Sequence, residues 1–253
     1  MTIGQINKQR TAMPRLADAT IYGWNDLYTQ LTKGLTGPPI EMYIVRHAQS
    51  VANARGLVTG QSDAGLTLRG YTQALMLGLR LPRRCDVTWV SCLGRAMRTL
   101  EIAQILRFNK ISPTQFHPDP RLDERALGDL EGTPHRPIQA YTTGDLAYAP
   151  NRGESYLDLS RRLLSFLVDV RRRTQCETRV LIATHVGPMR ILVGTVEGLG
   201  DARSVLALQF HNAEAYRCVL RDLKWPAFIP KEVLIERDRP MEATHSASDH
   251  SQI

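Results

Sequence analysis

Apolar positions recur along this chain in two different periods. Three short, nearly continuous apolar runs stand at Met42–Val45, Val87–Val90 and Val180–Thr184, each ended by polar or small residues. Runs of this length and composition predict buried strands of a parallel sheet. Between them the apolar residues are spaced as on helices. Leu68, Tyr71, Leu75 and Leu79 follow the N-cap candidate Thr67 and share one predicted face up to Pro82. A second helix is expected from Ser91 to about Leu106, and a third from Gly153-Glu154-Ser155 through Arg173. The third has Tyr156, Leu159, Leu163, Phe166, Leu167 and Val170 as its buried stripe. A fourth is expected from about Met189 to Gly198, after the loop His185-Val186-Gly187-Pro188. Strands alternating with helices define an α/β chain.

The remaining stretches are less regular. Residues 1–39 read as an N-terminal appendage, with a helix over 18–33 whose apolar face is Ile21, Trp24, Leu27, Tyr28 and Leu31. It would pack on the main domain or on a partner. The main domain is expected over 40–223. Asn53–Gly65 is rich in Gly, Ser, Asp and Asn and predicts a loop. Residues 111–120 hold three prolines and predict an extended connection with at most a short strand. Residues 133–152 predict a cap or lid loop with a short helix around 138–141. Ser204–Leu223 holds two apolar segments broken at His211-Asn212, a pattern expected for a hairpin or strand pair at the sheet edge. Residues 224–253 read as a C-terminal extension, disordered from about 238.

Composition narrows the class. The 253 residues are 43% hydrophobic and 23% charged, as expected of one globular domain. No apolar run approaches the length of a membrane span, and the first residues lack the apolar core of a secretory signal. Lys8, Arg10 and Arg15 with no acid before Asp18 share a trait with organelle transit peptides, but a plain disordered tail is the preferred reading. Four cysteines without C-x-x-C spacing read as reduced thiols, mostly packing residues, in a cytoplasmic compartment. The net charge of +7 is spread along the chain, aromatics are only 6%, and no aromatic-basic stripe suits stacking on bases. Nucleic acid and membrane are therefore not expected partners. Arg171-Arg172-Arg173 is expected as a solvated helix end that complements the dipole. Nothing in the pattern specifies an oligomeric state.

Chemistry is suggested where strands end. Arg46-His47 follows the first run, at the carboxyl end where open α/β sheets place ligands. A guanidinium matches phosphate oxygens, and a neutral imidazole nitrogen can act as a nucleophile. A second imidazole, His185, follows the third run. Arg95 falls in the first turn of a helix, which the dipole disfavours unless an anion sits there. Thr59-Gly60 offers a hydroxyl and an open backbone N–H. Phosphoryl transfer through histidine also needs a carboxyl group to protonate the leaving oxygen. Glu124 is the candidate, with Asp123, Asp129 and Glu131 as neighbours of the same type. Arg162 reads as a structural ion-pair partner, and Arg98, Arg125 and Arg136 as surface residues. His117 and His211 read as structural, and His245 and His250 as tail residues. No spacing suits a metal site, and no cofactor is expected.

Taken in order, six blocks resemble the histidine phosphatase superfamily, which includes the cofactor-dependent phosphoglycerate mutases. They are Arg46-His47 with Ser50 and Asn53; Thr59-Gly60 with Asp63 and Leu66-Thr67; and Ser91-x-Leu93-x-Arg95-Ala96-x-x-Thr99. Then come Leu122-x-Glu124 with Gly128 and Gly132; Gly153-Glu154-Ser155 with Asp158 and Arg162; and Ala183-Thr184-His185. The resemblance implies a three-layer α/β sandwich with a mostly parallel central sheet flanked by helices, as in phosphoglycerate mutase. It implies His47 as the residue phosphorylated in turnover, an anion pocket of Arg46, Arg95 and His185, and Asn53 as a further phosphate contact. Glu124 would be proton donor and then base. The expected substrate is a phosphorylated small molecule or phosphoprotein. His185 would be most useful protonated, with a bound phosphate dianion favouring that state. The chain departs from the pattern at Ala48 and Val186, where glycine is usual, and at Gln49, where an acid is common. Leu127 and His135 stand where the mutases carry Tyr and Lys, and the mutases' long insertion before the second His is missing. These departures favour a phosphatase over a mutase.

Overall fold

The computed structural model describes residues 19–106 and 116–232. Expectations for the first residues, for the tail beyond 238 and for His245 and His250 lie outside them. Five strands form one sheet: β1 (Ile40–Arg46), β2 (Val87–Val90), β3 (Phe116–Pro118), β4 (Thr178–Thr184) and β5 (Ala215–Leu220), in the order β3-β2-β4-β1-β5. All neighbours are parallel except β1 and β5. The strand side chains alternate between two separate cores. Met42, Ile44, Val180 and Ile182 face one, whereas Val45, Leu181 and Ala183 face the other. This two-residue period lets near-continuous apolar runs bury both faces.

On the first face lie α1 (Trp24–Lys33), α6 (Tyr156–Arg173) and α7 (Val186–Val196); on the second lie α3 (Leu68–Arg80) and α4 (Gly94–Ala103). The expected three-layer α/β sandwich is therefore the observed one. Helix α1 is docked on α6 and shares its core: Trp24, Leu27 and Leu31 are buried, and Trp24 meets Trp225 edge to face. A buried ion network ties this region down. Arg121 pairs with Asp119 at 2.8 Å and with Asp169 of α6 at 2.7 Å, and donates to the Thr20 carbonyl.

Several expectations fail in detail. The buried face of α3 is Gly70, Ala74, Leu77 and Gly78, not the predicted stripe, and Leu68 is 89% exposed. Small residues let α3 approach its neighbours closely; a Cβ on Gly78 would collide with the Ala103 carbonyl of α4. The first segment of the supposed terminal hairpin is a helix, α8 (Ala202–Ala207), capped by Asp201, and only the second is an edge strand. Helix α7 begins at Val186 rather than Met189, because a proline in the first turn gives up no needed N–H. One helical turn, α2 (Val51–Ala54), opens the predicted loop, held by a capping box between Ser50 and Asn53. The short helix expected around 138–141 is α5 (Gln139–Thr143). Arg171 is buried rather than solvated; it donates to the Pro38 carbonyl at 2.7 Å and to the Thr174 carbonyl at 3.2 Å. Of the four free cysteines only Cys218 is buried; Cys92 and Cys176 are exposed. Among the described residues no helix is long and apolar enough to cross a membrane.

Candidate active site

Strand register builds the site. Arg46 is paired with Thr184, and the His47 N–H donates to the Thr184 carbonyl at 3.0 Å. The next residues of β1 and β4 are therefore side by side, and the rings of His47 and His185 lie 5.1 Å apart. Strand β2 ends in step with them, since Val90 pairs with Ala183 and the Ser91 N–H donates to the Ala183 carbonyl. Three carboxyl ends thus meet at one place, the usual ligand position of a parallel sheet.

A cavity of about 660 Å³ opens there, lined by Arg46, His47, Asn53, Thr59, Gly60, Arg95 and Glu124 among others. Every predicted site residue except His185 lines it. His185 is fully buried, its ring tilted against that of His47. The His47 ring binds the Ala48 carbonyl through Nδ1 at 2.7 Å, which makes Nδ1 the donor and leaves Nε2 as the bare nitrogen. Burial, then the charges of Arg95 and Arg46, hold His47 well below the ordinary imidazole range, against the opposing pull of that carbonyl. His185 is pushed the same way by burial, His47, Arg95, Arg162 and Arg46, so without an anion it is neutral rather than protonated.

The two guanidinium groups are held by carbonyls. Arg46 Nη1 donates to Phe210 O at 2.7 Å; Arg95 donates to Ser62 O at 2.8 Å and to Gly60 O at 2.5 Å. Each keeps a buried Nε without a protein partner, as does Nδ1 of His185. The dipole conflict at α4 is relieved by Asp63 beside Gly94, while the Arg95 side chain turns into the cavity. Gly60 sits at φ 50° above Glu131, which receives the N–H groups of Gln61 and Ser62 at 3.0 Å and of Leu127 at 3.0 Å, and the Ser62 hydroxyl. Glu131 therefore organises the loop. Asn53 accepts from Ser50 N–H and from Asn212, leaving its amide nitrogen for the cavity.

Of the four acids, Glu124 is the one at the cavity wall. Its carboxylate accepts the Arg125 N–H at 2.9 Å and the Gly187 N–H at 3.3 Å, and a Cβ on Gly187 would collide with it. The glycine that matters sterically after the second imidazole is thus Gly187, and Val186 joins the cavity lining. Asp123 faces Ser91 and Cys92 instead, and Asp129 is exposed. Arg162 is structural, as expected: it pairs with Glu154 at 2.8 Å and donates to the carbonyls of Arg121 and Glu124. Arg98 is a surface residue paired with Glu101. Arg125 is not one; it is buried between the rings of Tyr141 and Tyr156, 4.7 and 4.3 Å from their centres, and links α5 to the segment that carries Glu124. Arg190 was not anticipated. It lines the cavity, fixed by the Leu208 carbonyl and the Tyr156 hydroxyl, and its position five residues after His185 was the available signal. Arg136 and Arg203 join it at the mouth. Among the described residues no group of three or more His, Cys, Asp or Glu is arranged to hold a metal ion.

Fold and site together define an α/β protein with a cationic anion pocket around a histidine pair. The sequence profile of the histidine phosphatase superfamily (branch 1) matches residues 42–227, and the chain belongs to that family. A 2,3-bisphosphoglycerate-dependent phosphoglycerate mutase of Methylobacterium radiotolerans is 33% identical over 174 residues, covering 64% of this chain and 81% of the relative. The solved mycobacterial glucosyl-3-phosphoglycerate phosphatase, in complex with VO3, is 27% identical with a TM-score of 0.58, over 70% of this chain and 90% of that one. The phosphoglycerate mutase of Bacillus anthracis shares the fold, with a TM-score of 0.60 at 16% identity over 76% and 94% of the two chains.

Proposed function

We propose that this chain is a metal-independent phosphomonoesterase that works through a phosphohistidine on His47. The observation that supports this most is the state of that ring: neutral, with Nδ1 tied to Ala48, Nε2 left as the free nitrogen, and Arg46 and Arg95 lining the same cavity. In this reading Nε2 attacks phosphorus, the bond to the ester oxygen breaks, and the Glu124 carboxyl protonates the departing alcohol. Glu124, now a carboxylate, takes a proton from water; the water oxygen attacks phosphorus, the P–N bond breaks, and phosphate leaves with His47 neutral again. The transferring group spreads negative charge over its equatorial oxygens, so Arg46, Arg95 and a protonated His185 would supply most of the stabilisation. Asn53 and the Thr59-Gly60 segment would contact the phosphoryl group and the leaving oxygen.

Hydrolysis is preferred to mutase transfer because Leu127 and His135 stand in place of the mutases' Tyr and Lys. Both activities occur among the relatives by name. The cavity is larger than a phosphoryl group needs and carries cations at its mouth, which suits an anionic small molecule or a phosphopeptide. The test is a panel of phosphomonoesters assayed with chelator present, wild type against His47→Ala. Phosphate release by wild type alone supports the reading, and equal rates for both proteins overturn it. Transfer to added glycerate in preference to water would select the mutase reading.

A further inference from the structure

Next to His185 lies a hydrogen-bonded chain of groups that the catalytic reading does not use, with Ser91 buried and Asp123 half-buried. The Ser91 hydroxyl donates to Asp123 Oδ1 at 2.7 Å, and Asp123 Oδ1 also receives the Cys92 N–H at 2.6 Å. The Ser91 oxygen in turn accepts the Leu93 N–H at 3.1 Å and lies 2.8 Å from His185 Nε2. A hydroxyl has one proton to give. With that proton on the carboxylate, Ser91 can only accept from the imidazole, so His185 carries its hydrogen on Nε2. Nδ1, buried and without a protein partner, is the nitrogen left over.

We propose that Asp123, acting through Ser91, is a positioning residue for His185: the carboxylate–hydroxyl–imidazole chain fixes the Nε2–H form and supports the ring when Nδ1 takes a proton beside the phosphoryl group. This rests on the phosphohistidine reading for its catalytic consequence, but not for the tautomer. The proton balance is simple. A substrate bound as its monoanion passes its proton to Nδ1, producing a dianion next to an imidazolium with no net change of charge. The other charged groups around His185 are Arg95, Arg46 and Arg162, with His47 alongside, and none of them favours that imidazolium. Asp123 is itself flanked by Asp119 and Arg162. Among these groups the Asp123 carboxylate is the one hydrogen-bonded toward the ring, through one hydroxyl, and this is the same orienting logic by which a buried acid holds a catalytic imidazole.

The experiment is nitrogen NMR of the histidine rings in the whole protein, free and with saturating inorganic phosphate, over a pH titration. The free wild type is expected to show His185 as the Nε2–H tautomer, and phosphate is expected to protonate Nδ1. Finding the Nδ1–H tautomer in the free protein would overturn the proposal, whatever the variants do. In Asp123→Asn and Ser91→Ala the pH at which phosphate-bound His185 loses its proton should fall by about one unit, a tenfold change in proton affinity. Ser91→Thr, which keeps the hydroxyl, should restore it. An unmoved titration in folded variants, with turnover lowered evenly at all pH values, would reduce both residues to packing and sink the idea. Should wild type hydrolyse no phosphomonoester, the enzymatic reading falls while the tautomer and titration still decide this one.

Discussion

Replacing His47 by alanine removes the imidazole proposed as nucleophile and should abolish turnover, while binding of inorganic phosphate should persist through Arg46 and Arg95. Because burial and two guanidinium groups hold His47 well below the ordinary imidazole range, kcat/KM should show no acid-side fall in that range. A pH–rate profile with its acid limb at an ordinary imidazole value would contradict this. Gly187→Ala should displace the Glu124 carboxylate and lower kcat by about 100-fold, the low end of the range for losing a positioned general acid. A variant with wild-type kcat would remove Glu124 from that role. His47 and His185 were readable from sequence because each directly follows an apolar run that ends as a strand, whereas Glu124 was singled out among neighbouring acids through the family resemblance. Arg125 was misread as surface: no local pattern announces that two tyrosines, one of them 31 residues away, will close over a guanidinium. Asp123 was read only as a competitor of Glu124, since adjacent carboxyl groups on an extended segment point opposite ways and the sequence does not say which way is inward.

At the scale of elements, the docking of α1 depends on a buried charge network as well as on apolar contact. Asp169→Ala would leave Arg121 with one of its two carboxylate partners and Tyr22 without its acceptor. Breaking such a pair costs about 3–5 kcal/mol. Urea unfolding should show the loss, and a change below about 1 kcal/mol would mean that water reaches the site. The misplaced face of α3 has a physical lesson of the same scale. Counting large apolar residues finds the face that could be buried, but Gly70, Ala74 and Gly78 bury the face that lets two backbones approach, and its gain is in close packing rather than side-chain area. The terminal segment was misread for a related reason: Val205 and Leu206 in a six-residue helix give too short a sample to separate a period of 3.6 from one of 2.

Across the whole molecule, stability should follow the two buried imidazoles. Their folded-state pKa values lie well below the unfolded value, so as pH falls through about 6.5 the unfolded chain takes up protons that the folded one refuses. Stability is then full above that pH and declines below it, by up to about 1.4 kcal/mol per pH unit for each ring. Urea midpoints between pH 7.5 and 5.5 would measure this; half the slope would show that one ring is charged in the folded state, and a flat dependence that both are. Glu41, held down to about 2 by Arg179 and Arg217, acts in a separate window, its contribution being lost only between about 4.5 and 2. The α/β class was legible from strand-helix alternation, and the three layers from the family resemblance. Strand order and the antiparallel β5 were not, because pairing is decided between segments rather than within them.

The in-step ending of β1, β2 and β4 has one more consequence. Strand length works as a ruler for the chemistry: one residue inserted within β1 would exchange the contents of the two cores and rotate residue 47 away from residue 185. The loops at the cavity mouth carry no such constraint and can be cut, lengthened or exchanged while the histidine pair stays in place. Efforts to redirect this scaffold to new substrates should therefore work on residues 133–152 and leave the strands alone.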